Sequence, residues 1–192
     1  FDDLIRAYKK WSDFQYAWRI LRQESIQKLQ FPFPYRKGQK ELAAGVYRTI
    51  KRKKNLFIQA PTGVGKTIST LYPAIKAVGE GLGDKIFYLT AKTVTANVAK
   101  ETLGILCEKG YRAKSVQITA KEKLCPCEEV DCNPAICPYA KGHFDRVNDA
   151  VYELWTTEEV YSREVIRAHA EKWQVCPFEM CLDLSIWVDG II

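Results

Sequence analysis

Leu56-Phe57-Ile58-Gln59-Ala60-Pro61-Thr62-Gly63-Val64-Gly65-Lys66-Thr67 is the stretch that decides the fold. A short apolar run, of the length of a buried strand, is followed by Pro, Thr and Gly and then by Gly-Lys-Thr at the start of a helix-forming segment. Strand, loop and helix in this order place backbone N–H groups and the positive end of a helix around an anion. The stretch therefore predicts a phosphate-binding loop, although Ala60 stands where the strict pattern has glycine.

The loop predicts a set of nucleotide-binding residues. They are Thr62, Gly63, Val64, Gly65, Lys66 and Thr67. Lys66 is expected to reach the β and γ phosphates, and the Thr67 hydroxyl is placed to ligate Mg²⁺, so these two are the predicted catalytic residues. Gln39 lies about one helix upstream, where its amide could read the donor and acceptor edge of adenine. The alternative for Gln39 is a solvent-facing side chain.

Composition bounds the class of protein. The 192 residues suffice for one large domain or for a domain with an inserted module, and 47% of them are hydrophobic. No apolar run approaches a membrane span of about 20 residues, and Phe1 is not followed by a secretory leader, so we expect a soluble cytoplasmic protein with no membrane partner. The absence of an initiator Met and the apolar end at Ile191-Ile192 predict a piece of a longer chain.

The charge balance suits a polyanionic partner. The net charge is +6, with a dense run at Lys51-Arg52-Lys53-Lys54. Such a run is more often the solvated end of a helix, so it is weak evidence by itself.

Alternating patterns predict an α/β fold. Helices are expected over 3–29, 38–52, 68–78 and from Thr93 to about Lys109, and strands over 85–89 and 114–119. This alternation predicts a parallel sheet with helices on both faces, whose ligands bind at the carboxyl ends of the strands. Lys92 and Thr93 lie at such an end and are candidates for gripping a phosphodiester, although a Lys-Thr pair is usually a plain helix cap.

Cysteines dominate the second half of the chain. Cys107 stands apart, and the other six of the seven lie between residues 125 and 181: Cys125, Cys127, Cys132, Cys137, Cys176 and Cys181. The segment 125–138 has too many prolines and cysteines for a regular helix or strand, and residues 139–172 read as helical. Clustered cysteines beside a nucleotide-binding motif indicate a metal site, with disulfides the weakest option. The spacing fits paired zinc knuckles poorly and favours an iron-sulfur cluster only slightly, so both metals stay open.

Four segments together resemble a known family. They are Ala60–Thr67, Phe87-Tyr88-Leu89-Thr90-Ala91-Lys92-Thr93, Lys121-Glu122-Lys123-Leu124-Cys125 and Val175-Cys176-Pro177-Phe178. In this order they are similar to the XPD/DinG branch of superfamily 2 DNA helicases, in particular to the bacterial DinG-like proteins. The resemblance covers residues 31–192, and in that family Ala60 is the normal residue.

The resemblance implies a domain plan and a cofactor. Residues 1–30 would be a helical linker, 31–120 the first part of a RecA-like ATP-binding domain, 121–182 a mainly helical iron-sulfur domain, and 183–192 the return strand of the RecA-like domain. A 4Fe-4S cluster would be held by Cys125, Cys132, Cys137 and Cys176, with Cys127 as the alternative to Cys132. Cys107 and Cys181 would be buried thiols without a role.

The resemblance also implies an activity. It predicts an ATP- and Mg²⁺-dependent helicase that moves 5′ to 3′ on single-stranded or forked DNA, in repair or replication, with other repair or replication proteins as further partners. It makes Gln39 an adenine contact, and Lys92 and Thr93 single-strand contacts.

One departure limits the activity of these residues alone. The acidic Asp-Glu-Ala-His-type motif, the arginine finger and a second RecA-like domain are absent from the 192 residues. Hydrolysis needs an oriented water, a base and a cationic stabiliser, so we expect these residues to bind ATP without hydrolysing it. The alternative class is a non-enzymatic, metal-stapled nucleic-acid-binding or redox-sensing module with a regulatory nucleotide site. A longer gene that encodes the missing motif would exclude that alternative.

Overall fold

The computed structural model describes residues 1–61 and 63–192, which form two compact units, 1–113 and 114–192. The elements of the first unit are α1 (Asp2–Lys28), α2 (Gln39–Lys51), α3 (Lys66–Gly79), β1 (Ile86–Phe87) and α4 (Thr93–Glu108). All four predicted helices are therefore confirmed to within about two residues at each end.

Helix α3 carries the core of the first unit. It is apolar on the side where Ile68, Ile75 and Val78 are buried, and it continues through Pro73. The end of α1 is fastened to it, because the Lys76 ammonium donates hydrogen bonds to the carbonyls of Ile26 at 2.7 Å and Leu29 at 3.2 Å. A basic side chain on the last carbonyls of a helix satisfies acceptors that have no partner within that helix. Helix α3, which follows the phosphate loop, is therefore anchored to the end of α1.

Gly79 marks the closest approach between α1 and α3. A Cβ at this position would lie 2.2 Å from Cγ2 of the buried Ile26. We expect Gly79→Ala to lower the free energy of unfolding by about 1–3 kcal/mol. The added methyl group would force the buried Ile26 side chain or one of the two helices to shift, which strains a packed core.

Gly104→Ala is the matched control for this prediction. Gly104 also lies within a helix, but a Cβ there meets no atom within 4 Å. Alanine should stabilise that exposed helix by about 0.5–1 kcal/mol. Chemical denaturation of both variants measures the difference, and equal stability for the two would contradict the tight contact at Gly79.

The strand predicted at Leu56–Ile58 is wrong. Residues 53–61 contain no strand, and the side chain of Phe57 is 95% exposed. A strand requires hydrogen bonds from a neighbour, and the described residues supply no paired partner for this run. The strand predicted over 85–89 is also shorter, since only Ile86 and Phe87 belong to β1.

The second unit contains a parallel sheet. Its elements are β2 (Ser115–Val116), α5 (Lys121–Leu124), α6 (His143–Thr157), β3 (Val160–Tyr161), α7 (Arg163–Trp173), α8 (Pro177–Trp187) and β4 (Gly190–Ile191). Strand β2 pairs in parallel with β3 and with β4, so that Val116 lies opposite Tyr161 on one side and opposite Ile191 on the other. The predicted α/β class with a parallel sheet is confirmed, whereas the strand expected over 114–119 contracts to two residues.

The core of the second unit lies among α6, α7, α8 and β2. Its largest fully buried apolar side chains are Trp155, Leu124, Leu154, Ile166, Met180, Leu184, Val116 and Val151. Lys114 is 1% exposed, and its ammonium donates to the Glu158 carbonyl. The backbone N–H of Lys114 binds the buried Asp189 carboxylate at 2.8 Å, which fastens the start of β2 to the start of β4. The unit begins ahead of residue 121, because β2 belongs to its sheet. The assignment of 121–182 as an inserted domain stays a prediction.

None of the helices in the described part of the chain combines the length and the apolar character that crossing a bilayer requires.

Candidate functional site

The phosphate loop leads directly into α3. Gly63 and Gly65 have backbone φ values of 81° and 75°, in the left-handed region that residues with a Cβ rarely adopt. Gly65 caps α3, and its carbonyl accepts the first helical hydrogen bond from Ser69 N–H at 3.2 Å. The free N–H groups of the first helical turn therefore face the loop, as a phosphate site requires. Thr62 lies outside the described residues.

Lys66 contacts its own loop. Its ammonium donates hydrogen bonds to the carbonyls of Ala60 at 3.0 Å and Pro61 at 2.8 Å, and the residue is exposed. Thr67 follows it in the first helical turn and is half-buried. The Lys66 ammonium, which would contact the phosphates, therefore lies beside the loop and is hydrogen-bonded to two neutral carbonyl acceptors.

Gln39 and Arg36 support the loop from the side. Gln39 is 4% exposed, its Oε1 accepts a hydrogen bond from Arg36 N–H at 2.8 Å, and its Nε2 lies so close to Gly65 that a Cβ there would be 2.5 Å away. The Arg36 guanidinium donates to the Gly63 carbonyl at 2.7 Å. The solvent-facing alternative for Gln39 is therefore wrong, and its contact with adenine stays a prediction.

Lys92 and Thr93 lie at the start of α4, after β1. Lys92 caps the helix in an extended conformation, and both residues are exposed. The Lys92 N–H donates a hydrogen bond to the Thr90 hydroxyl oxygen at 3.4 Å, and this local turn leaves the exposed lysine at the surface. A ligand that carries a phosphate can reach this position.

Four of the cysteines line a single cavity of about 200 Å³ in the second unit. They are Cys125, Cys132, Cys137 and Cys176, the four predicted metal ligands. Cys125 directly follows α5 as its C-cap, Cys132 and Cys137 come from the irregular segment 125–142, and Cys176 is the N-cap of α8. Burial raises the pKa of the Cys176 thiol, and the N–H groups of Glu179 and Phe178 at the helix start oppose that rise.

The other three cysteines do not line this cavity. Cys127 contacts the thiols of Cys137 and Cys125, and burial together with these hydrogen bonds raises its pKa to about 11. Cys181 is buried in the core, where desolvation raises its pKa to about 11, and Cys107 is half-buried in the first unit.

Side chains from later elements hold the walls of the cavity in place. Arg167 on α7 donates to the carbonyls of Leu124 and Cys125, both at 3.2 Å. Within the irregular segment, the Asn133 carbonyl accepts from Cys137 N–H at 2.8 Å. These bonds satisfy backbone groups that no helix or strand pairs, and they orient the cysteines they adjoin.

Lys121 and His143 form the polar part of the wall. The Lys121 ammonium lies 3.1 Å from the Glu179 carboxylate and 3.8 Å from the Cys132 sulfur. His143 is buried, its Nδ1 accepts the Cys176 N–H at 3.2 Å, and burial lowers its pKa.

The thiols surround the cavity without converging on a point. In the part of the chain that the structure describes, no three His, Cys, Asp or Glu side chains come close enough together to hold one metal ion. The arrangement therefore presents separated thiols around a common space.

A family comparison agrees with the loop geometry. Residues 38–136, more than half of the chain, match the DEAD/DEAH box helicase family. The chain belongs to this family. A parallel α/β fold with a phosphate loop is consistent with the RecA-like domain of such a helicase.

A curated relative of this DEAD/DEAH box helicase chain is an archaeal protein. The chain is 49% identical over 49 residues to a probable ATP-dependent helicase, MJ0942, from Methanocaldococcus jannaschii. The alignment covers 25% of the chain and only 8% of that protein. The family match ends at residue 136, so Cys137, His143 and Cys176 lie beyond it.

The sequence patterns missed several residues of both sites. Arg36, Arg167 and His143 act through backbone groups, so their partners carry no side-chain signature. For Arg36 alone a signal exists, since it stands three residues ahead of Gln39, itself a predicted site residue.

Proposed function

We propose that this chain is part of an iron-sulfur DNA helicase of the XPD/DinG type. The enzyme would couple ATP hydrolysis to 5′ to 3′ movement on single-stranded DNA, and would unwind forked DNA in repair or replication. The observation that carries the proposal is the cavity lined by Cys125, Cys132, Cys137 and Cys176 in a chain of the DEAD/DEAH box helicase family. A phosphate loop alone would not distinguish this branch from other helicases.

The size of the cavity supports a cluster over a single zinc ion. Zinc bonds four sulfurs at about 2.3 Å, so the thiols of a zinc site meet almost at a point. These thiols instead border about 200 Å³. The four cysteines would each bind a different iron of a 4Fe-4S cluster, which when bound supplies the cross-link that the irregular segment 125–142 lacks.

The nucleotide would bind at the phosphate loop. Lys66 would exchange its two carbonyl acceptors for the β and γ phosphates, and Thr67 would ligate Mg²⁺. Gln39 would contact adenine beside the loop. Because the 192 residues contain no Asp-Glu-x-His motif, hydrolysis requires residues outside them.

The proposed contact of Lys92 with single-stranded DNA has a measurable signature. Each phosphate that a lysine neutralises contributes about −0.7 to the slope of log K against log salt for a single strand. We expect Lys92→Ala in the full-length protein to reduce that slope by about this amount. Lys109→Ala, at the other exposed end of the same helix, is the control and should leave the slope unchanged. Equal slopes for the two variants would remove Lys92 from the DNA contacts.

Metal analysis tests the proposal directly. Full-length protein purified without oxygen should contain about four irons and four acid-labile sulfides per chain, and should absorb broadly near the blue end of the visible spectrum. Stoichiometric zinc with no visible absorption would overturn the iron-sulfur assignment. Iron-loaded protein that does not hydrolyse ATP with DNA present would instead favour a non-enzymatic module.

A further inference from the structure

His143 has a buried polar atom that no other described residue satisfies. The residue begins α6, is 4% exposed and lines the cysteine cavity. Its Nε2 is buried and has no hydrogen-bond partner among the described residues. A buried polar group without a partner costs about 1–3 kcal/mol, so such an atom beside a cavity indicates a ligand group that is present when the cavity is filled.

The other ring nitrogen fixes which proton His143 carries. Nδ1 accepts the backbone N–H of Cys176 at 3.2 Å, so it holds a lone pair and no hydrogen. In a neutral imidazole the proton is then on Nε2. The unsatisfied atom is therefore a hydrogen-bond donor.

We propose that the Nε2–H of His143 donates a hydrogen bond to a sulfur of the cluster, either a cysteine thiolate or a bridging sulfide. This inference rests on the proposed iron-sulfur site. His143 is a positioning residue: through Nδ1 it holds the backbone of Cys176, and through Nε2 it would bind the cluster that Cys176 ligates. One imidazole thus couples the start of α8 to the electronic state of the metal centre.

The hydrogen bond has a predictable effect on the reduction potential. Reduction adds negative charge to the cluster, and a donor at a cluster sulfur stabilises that charge and raises the potential. Removal of the donor should shift the midpoint potential to a more negative value while the four ligands stay in place.

Two substitutions separate the two nitrogens of His143. In His143→Asn the side-chain oxygen can replace Nδ1 as the acceptor for Cys176 N–H, but no donor reaches the position of Nε2. In His143→Gln the longer side chain can place an amide N–H near that position. We expect the midpoint potential, measured by anaerobic redox titration of the full-length protein, to fall in His143→Asn and to lie closer to the native value in His143→Gln.

The second histidine of the chain is the matched control. His169 contacts the Ala150 carbonyl through Nε2 at 2.9 Å and does not line the cavity. His169→Asn should leave the potential unchanged. An equal shift in both Asn variants, or no shift in His143→Asn with four irons still bound, would overturn the hydrogen bond and leave the cluster assignment intact. Native protein without iron would overturn the cluster itself.

A measurement on labelled protein covers the case in which His143→Asn does not fold. With ¹⁵N-histidine incorporated, the paramagnetic reduced cluster should show a ¹⁵N hyperfine coupling that persists in His169→Asn. Absence of the coupling from iron-loaded native protein would contradict the proposed donor.

Discussion

Lys66→Ala in the full-length protein is expected to abolish ATP-driven unwinding. Lys66 is exposed at the loop and its ammonium donates to the carbonyls of Ala60 and Pro61, so phosphates can take the place of these neutral acceptors. Without the cation, the charge that develops on the transferred phosphoryl group is not stabilised, and the loss of one such group costs about 100-fold or more in rate. The measurements are steady-state ATP hydrolysis with single-stranded DNA and unwinding of a forked substrate.

Two readouts make this result specific to the loop. The iron content should not change, because the cysteine cavity and the phosphate loop lie in different compact units. Lys28→Ala, an exposed lysine in the last turn of α1, should retain full activity. A Lys66→Ala protein that still unwinds DNA would refute the assignment of the loop.

Cys137→Ser is expected to lose nearly all of its iron and to loosen the segment 125–142. Cys137 is the one buried member of the four cavity cysteines, and its backbone forms the turn that follows Asn133. Because metal binding and local folding are coupled in a segment without regular structure, removal of this thiolate releases both. Iron analysis and limited proteolysis of the second unit measure the two effects. Iron that remained bound in Cys137→Ser would strike this residue from the ligands.

The same assay decides the fourth ligand. Cys132 lines the cavity and Cys127 does not, so Cys132→Ser should lose iron and Cys127→Ser should retain it. Cys107→Ser in the first unit is the control for thiol removal without an effect on the cavity. The reverse order between the first two variants would assign Cys127 in place of Cys132.

Local chemistry was sufficient to predict the helices and the irregular segment. Two glycines and a lysine at the end of an apolar run predict a helix directly after the loop, over 68–78, and α3 begins two residues earlier, at Lys66. The prolines and close cysteines of 125–138 likewise exclude a helix or strand, and the described backbone there has neither. These features depend on residues near one another in the chain.

Features that depend on distant partners could not be predicted in the same way. A strand at 56–58 needs a hydrogen-bonded neighbour, and its own β-branched and aromatic content cannot supply one. Arg167 and His143 bind backbone groups of Leu124 and Cys176, whose identities carry no trace of that contact. The sequence leaves the fourth predicted metal ligand open between Cys132 and Cys127 for the same reason. Their spacing in the chain does not indicate which of the two thiols lines the cavity.

The cavity residues are synthesised over an interval of several seconds. Its wall extends along the chain from Lys121 to Glu179, and Cys176 is the 39th residue after Cys137. At about 5–20 residues per second, a ribosome needs about 2–8 s to synthesise that interval. During it three cysteines of the cavity are already present on the nascent chain without the fourth. If the cavity holds the proposed cluster, iron can be bound by all four cysteines only after the start of α8 has been made, and the thiols would need reducing surroundings until then.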